Sequence, residues 1–182
     1  MNRPTTGYGL RRWSGGFLVS VLFCGPAIHA ADVQGTHVLI AGPIGAIVQR
    51  AIVGAMQRLE HPVCATLLTE FHAPDGLPLA ARLSELSVTP PEYLRTLWFV
   101  DGDDLSLCHQ SPGPIAFTTP GGRVVYVCGT HFVSMYMRNP AYAQILVIHE
   151  MLHAAGLGEN PPSSDQISRT ATARCLMHIT SR

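Results

Sequence analysis

The stretch His149-Glu150-Met151-Leu152-His153, continuing Ala154-Ala155-Gly156-Leu157-Gly158-Glu159, decides how the rest of the chain is read. On a helix, His149 and His153 stand about one turn apart on the same face, near enough for their imidazoles to share one metal ion. Glu150 sits beside them as a base, in place to take a proton from a water that a metal has made acidic. An apolar run at residues 145–148 leads into the first histidine, and Gly156 breaks the helix after the second. That run is largely β-branched and alone reads as either strand or helix. The histidine spacing is useful only on a helix, so the sequence predicts one from about Tyr142. Being apolar nearly all round, it should lie buried at the centre of the domain, where packing stiffens the ligands it carries.

The extended pattern H-E-x-x-H-x-x-G-x-x-E resembles the metzincin signature within the zincin metallopeptidases, with one change. Members of that clan usually carry His or Asp at the last position as the third metal ligand. The resemblance therefore assigns Zn²⁺ to His149, His153 and Glu159, and the role of general base in peptide-bond hydrolysis to Glu150. A carboxylate oxygen suits zinc. Asp165 and His178 are the alternative third ligands, because no other acid follows Glu159 and no other histidine follows His153. The zincin layout that takes its third ligand from a glutamate on a later helix finds no candidate, since no Glu follows Glu159. In zincins the edge strand of the sheet lies beside the cleft and pairs with an extended substrate; the run nearest ahead of the metal helix, residues 123–128, is a candidate for that edge, with an ordinary paired strand the alternative. Met177 stands downstream as the metzincin Met-turn does, although core packing accounts for one methionine equally well. Tyr136, His131 and His178 are candidates for stabilising an oxyanion.

The 182 residues suit one domain, and 47% hydrophobic with 13% charged residues exclude wholesale disorder. With a formal charge of zero and scattered arginines, the footprint of a nucleic-acid binder is missing. Residues 1–30 read as a secretory signal peptide: Arg3, Arg11 and Arg12 precede an apolar stretch, and cleavage is expected after Ala30. That stretch is too short for a bilayer span and Gly25-Pro26 interrupts it, so no membrane span is expected to remain after cleavage. Residues 31–182 form the expected domain, which carries four cysteines. An even count in an exported chain argues for two disulfides, with Cys108–Cys128 and Cys64–Cys175 the favoured pairing. A cysteine-based zinc site lacks the C-x-x-C spacing it needs.

The remaining elements follow from period and punctuation. Ile44, Val48, Ala51, Ile52, Ala55, Met56 and Leu59 mark a helix from Pro43. A second helical piece runs through Cys64 to Phe71, a third over residues 77–86, and Pro90-Pro91 opens a fourth. Residues 97–100 read as a strand, while 115–119 and 123–128 read as a hairpin about Pro120-Gly121-Gly122. Asp101-Gly102-Asp103-Asp104 fails the calcium-loop template and reads as a solvated turn. A short helix over 132–138 precedes the metal helix, and Ser163-Ser164-Asp165 caps a last one over 166–174. The expectation is an α+β, zincin-like domain, mostly helical, with a small β-sheet beside a central zinc-binding helix. It would be a secreted or periplasmic zinc metallopeptidase acting on peptide or protein substrates; nothing in the sequence sets an oligomeric state. Two rivals stand beside it: a disulfide-stapled zinc-binding protein without peptidase activity, and a zinc hydrolase of another amide bond.

Overall fold

A computed structural model describes residues 36–176; the leader read at residues 1–30, Met177 and His178 lie outside them. The chain opens with β1 (His37–Leu39) and enters α1 (Gly42–Leu59), which buries Val48, Ala51, Ile52, Ala55, Met56 and Leu59 along the stripe its spacing dictates. The single helical piece expected after Pro62 is two turns, α2 (Pro62–Ala65) and α3 (Leu67–Glu70), which meet at Thr66. The Thr66 hydroxyl turns back to the carbonyl of Val63 at 2.8 Å, the local competition that Ser and Thr offer a helix ladder. Helix α4 (Leu79–Glu85) and helix α5 (Pro90–Arg95) follow, the latter opened by a reciprocal Thr89/Glu92 capping box.

Strand β2 (Trp98–Asp101) leads through a 3-10 turn at Ser106–His109 to the hairpin of β3 (Ala116–Thr118) and β4 (Val124–Val127). Helix α6 (Gly129–Arg138) starts earlier than its apolar residues suggest. Asp103 Oδ1 accepts from Gly129 N at 2.7 Å, so an acid of the preceding turn satisfies one of the helix's first amides. Helix α7 (Pro140–Ala154) also starts early, because the Asn139 side chain caps Tyr142 N at 3.0 Å and Pro140 fits the first turn. Helix α8 (Ser164–Cys175) is opened by a Ser163/Gln166 capping box.

The fold is α+β with a small mixed sheet of order β1-β2-β4-β3. Strands β1, β2 and β4 run parallel and β3 runs antiparallel to β4, with Phe117 opposite Tyr126. Of the two readings of residues 123–128, the ordinary paired strand holds. The run at 123–128 gives β4, which is paired on both sides, whereas β3 is an outer strand. Parallel pairing of β2 with β4 is a long-range event that no local pattern announces. The sheet turns Phe99, Val125 and Val127 inward. On its other face Trp98, 41% exposed, stacks on His37 with ring centroids 4.1 Å apart.

Helix α7 lies between α1, α6 and α8 and against β3 and β4, the central position its all-round apolarity demands. Ile145, Ile148 and Leu152 are fully buried, each stabilising the fold by about 1.5–3 kcal/mol relative to exposure. Both favoured disulfides form: Cys108–Cys128 ties the 3-10 turn to the end of β4, and Cys64–Cys175 ties α2 to α8. Such bonds fit an oxidising compartment. Among the described residues no helix is long and apolar enough to cross a membrane.

Candidate metal centre

The end of α7 is fixed by completing its hydrogen bonds. Leu157 N donates to Leu152 O at 3.0 Å and Gly156 N to His153 O at 2.8 Å, the paired closure of a Schellman turn. Gly156 takes φ +115°, a conformation that costs glycine least. His153 O also accepts from Gly121 N at 2.9 Å, in the β3–β4 turn, and Ala154 O accepts from the buried Tyr93 hydroxyl at 2.7 Å. The last carbonyls of the helix thus bind its own turn, the hairpin and α5.

This turn brings three donors together. His149 and His153 are 4% and 5% exposed. Their Nε2 atoms lie 3.0 Å apart, and Glu159 Oε1 stands 3.8 Å from the first and 3.3 Å from the second. One ligand atom from each residue fits within a 4.8 Å span, a group able to hold a metal ion. Each ring is held from behind: His153 Nδ1 donates to Leu157 O at 2.7 Å, and His149 Nδ1 meets Ser168 Oγ at 3.0 Å. Turning both Nε2 atoms toward one point with both Nδ1 atoms engaged elsewhere is how metal-binding imidazoles are oriented.

Glu150 is 6% exposed and shares with these donors a cleft of about 470 Å³, bordered by Thr118 on β3, by Leu107 and Pro114, and by Ser164. Burial pushes its carboxyl up to about 8, the charge of Glu159 adds to the rise, and the Thr118 hydroxyl pulls the other way. Glu150 Oε2 and Thr118 Oγ1 are nonetheless buried without a hydrogen-bond partner of good geometry. His149 is pushed down to about 4, first by burial and then by His153. A buried carboxyl with one oxygen unpaired, beside two convergent imidazole nitrogens and a second carboxylate, has the donor chemistry that suits a divalent cation.

Of the alternative ligands, Asp165 is not in this group: it is exposed on the first turn of α8 and paired with Arg169. Neither candidate for an oxyanion role within the described residues borders the cleft. His131 Nδ1 is bonded to Pro114 O at 2.9 Å, and the Tyr136 ring lies 6.0 Å from the Arg50 guanidinium. Two residues that touch the site, Thr118 in the cleft and Ser168 behind His149, were not singled out by the sequence. Thr118 is one hydroxyl in a hairpin. Ser168 carried a signal, since it falls at helical spacing with Ser164, Ala171 and Cys175 on the side of α8 that includes buried residues. No protein family, curated protein or solved structure matches the chain.

Proposed function

We propose that the protein is a zincin-like zinc metallopeptidase, exported by the leader at its N-terminus. The observation that carries this reading is the buried Glu150 carboxyl, with an unpartnered oxygen, in the same cleft as the convergent donors of His149, His153 and Glu159. A structural metal site has no use for such a base. Zinc held by the three donors would supply a Lewis acid that acidifies water and polarises a carbonyl.

Glu150 accepts a proton from the attacking water at its carboxylate and returns it to the leaving nitrogen. For the first task it must be ionised, and its raised affinity for the proton is the property that a nearby cation reverses. His149 and His153 act as neutral imidazoles; burial keeps His149 in that form. Leu157 O and Ser168 Oγ keep the rings from turning. Strand β3, which among the described residues has one side free of strand pairing, offers main-chain donors and acceptors to an extended peptide beside Glu150, whatever its side chains.

Purified mature protein, incubated with an unstructured protein with and without a chelator, is expected to cut only in the chelator-free arm and to regain cutting on addition of Zn²⁺. Zinc-loaded protein that cuts no peptide overturns the assignment in favour of a binding protein. Cleavage confined to a non-peptide amide favours the other hydrolase.

A further inference from the structure

The two imidazoles of the centre are held by groups of unlike chemistry. Leu157 O, 2.7 Å from His153 Nδ1, can only accept, so His153 keeps its proton on Nδ1 and a lone pair on Nε2. Ser168 Oγ, 3.0 Å from His149 Nδ1, can accept or donate. The two Nε2 atoms face each other at 3.0 Å, where two lone pairs repel unless a proton or a cation lies between them. These two occupants impose opposite tautomers on His149. A proton bridge needs His149 protonated at Nε2, with the Ser168 hydroxyl donating to Nδ1. A cation needs the lone pair at Nε2 and the proton at Nδ1, with Ser168 accepting.

We propose that Ser168 is a positioning residue that lets His149 exchange these tautomers without moving its ring, and so sets the affinity of the centre. The inference rests on the metal-centre reading above. The imidazole stays neutral throughout: the proton on Nε2 leaves into the cleft, the Ser168 hydroxyl passes its hydrogen to Nδ1, and the half-buried hydroxyl regains one from solvent. Helix α8 gives the hydroxyl a fixed origin. Ile167 and Ala171 bury on either side of it, Cys175 is bonded to Cys64, and Arg58 Nη1 donates to Cys175 O at 2.7 Å. His149 is too buried for water to replace the hydroxyl freely.

The test titrates chelator-stripped mature chain with Zn²⁺ alone, against a competing chromophoric chelator. Ser168→Ala should bind zinc about 10–100-fold more weakly than wild type. Ser168→Thr, which keeps the hydroxyl, should recover most of that loss, and the stripped variants should melt with the stripped wild type. Nitrogen-15 spectra of the wild-type rings supply a readout that needs no variant. The His149 proton should sit on Nε2 in stripped protein and on Nδ1 in zinc-loaded protein, with His153 protonated at Nδ1 in both. Unchanged affinity in Ser168→Ala, or a His149 proton on the same nitrogen in both states, overturns the proposal. Wild-type chain that takes up no zinc overturns the metal-centre reading itself.

Discussion

His149 and His153 come from a buried helix with all its last carbonyls engaged, whereas Glu159 comes from the loop beyond Gly156 and its side chain is 41% exposed. The helix fixes its two donors by packing before any ligand arrives. The loop holds its donor by less packing, so the third arm of the centre is the one a bound cation would have to help order. Rigid elements give a site its precision, and loops give it adjustment.

Removing a helix-borne ligand should therefore do most damage. His153→Ala is expected to lose both zinc uptake and hydrolysis, read by metal analysis after dialysis and by peptide cleavage. Glu150→Gln separates base from ligands: zinc content should stay at the wild-type level while kcat falls by about 10²–10⁴-fold. Full activity in that variant would remove the assigned base. Glu159→Ala should weaken zinc less than His153→Ala does, leaving an affinity still measurable by chelator competition. A loss as complete as that of His153→Ala would erase the distinction between helix and loop.

A fourth test uses pH on chelator-stripped protein. His149, held at about 4 against an ordinary 6.5, contributes stability that is present above 6.5 and lost as pH falls toward 4. Glu150, held at about 8 against 4.5, contributes stability that is present below 4.5 and lost as pH rises through 8. Between 4.5 and 6.5 the two slopes oppose, so their joint contribution should be flat there and fall on either side. Denaturant midpoints across that range check it. Added zinc should abolish the alkaline fall, because a cation favours ionised Glu150. The smallest effect is at the junction: Gly156→Ala places a side chain at φ +115° with only an ordinary contact to Ala73, so strain alone should cost about 1–2 kcal/mol, read from a melt.

The same division explains what could be read from the chain. Helix α7, its Gly156 stop, the hairpin and the Ser163 cap are written in neighbouring residues, and each is found where its local chemistry puts it. Both disulfides were also legible, because only four cysteines lie beyond residue 30 and few pairings are open. The edge strand was not. Whether residues 123–128 lie at the rim or inside depends on β2, a partner more than twenty residues away, and any apolar strand satisfies the pattern equally. The spacing of Ser168 with Ala171 and Cys175 puts it on a partly buried side of α8, but only the packing of α7 against that side shows that its hydroxyl meets His149. The choice of Glu159 over Asp165 came from the resemblance to the metzincin signature, and the Schellman turn is what brings Glu159 back to the two histidines.

The bond from Gly121 N to His153 O has a mechanical consequence. It fastens the tip of the hairpin to the very residue that carries an imidazole, so the upper jaw and the floor of the groove travel together. On the proposed function, any widening of the groove would have to come from a wall other than these two, and a cross-link across the segment between Glu159 and Ser164 tests whether that wall supplies it.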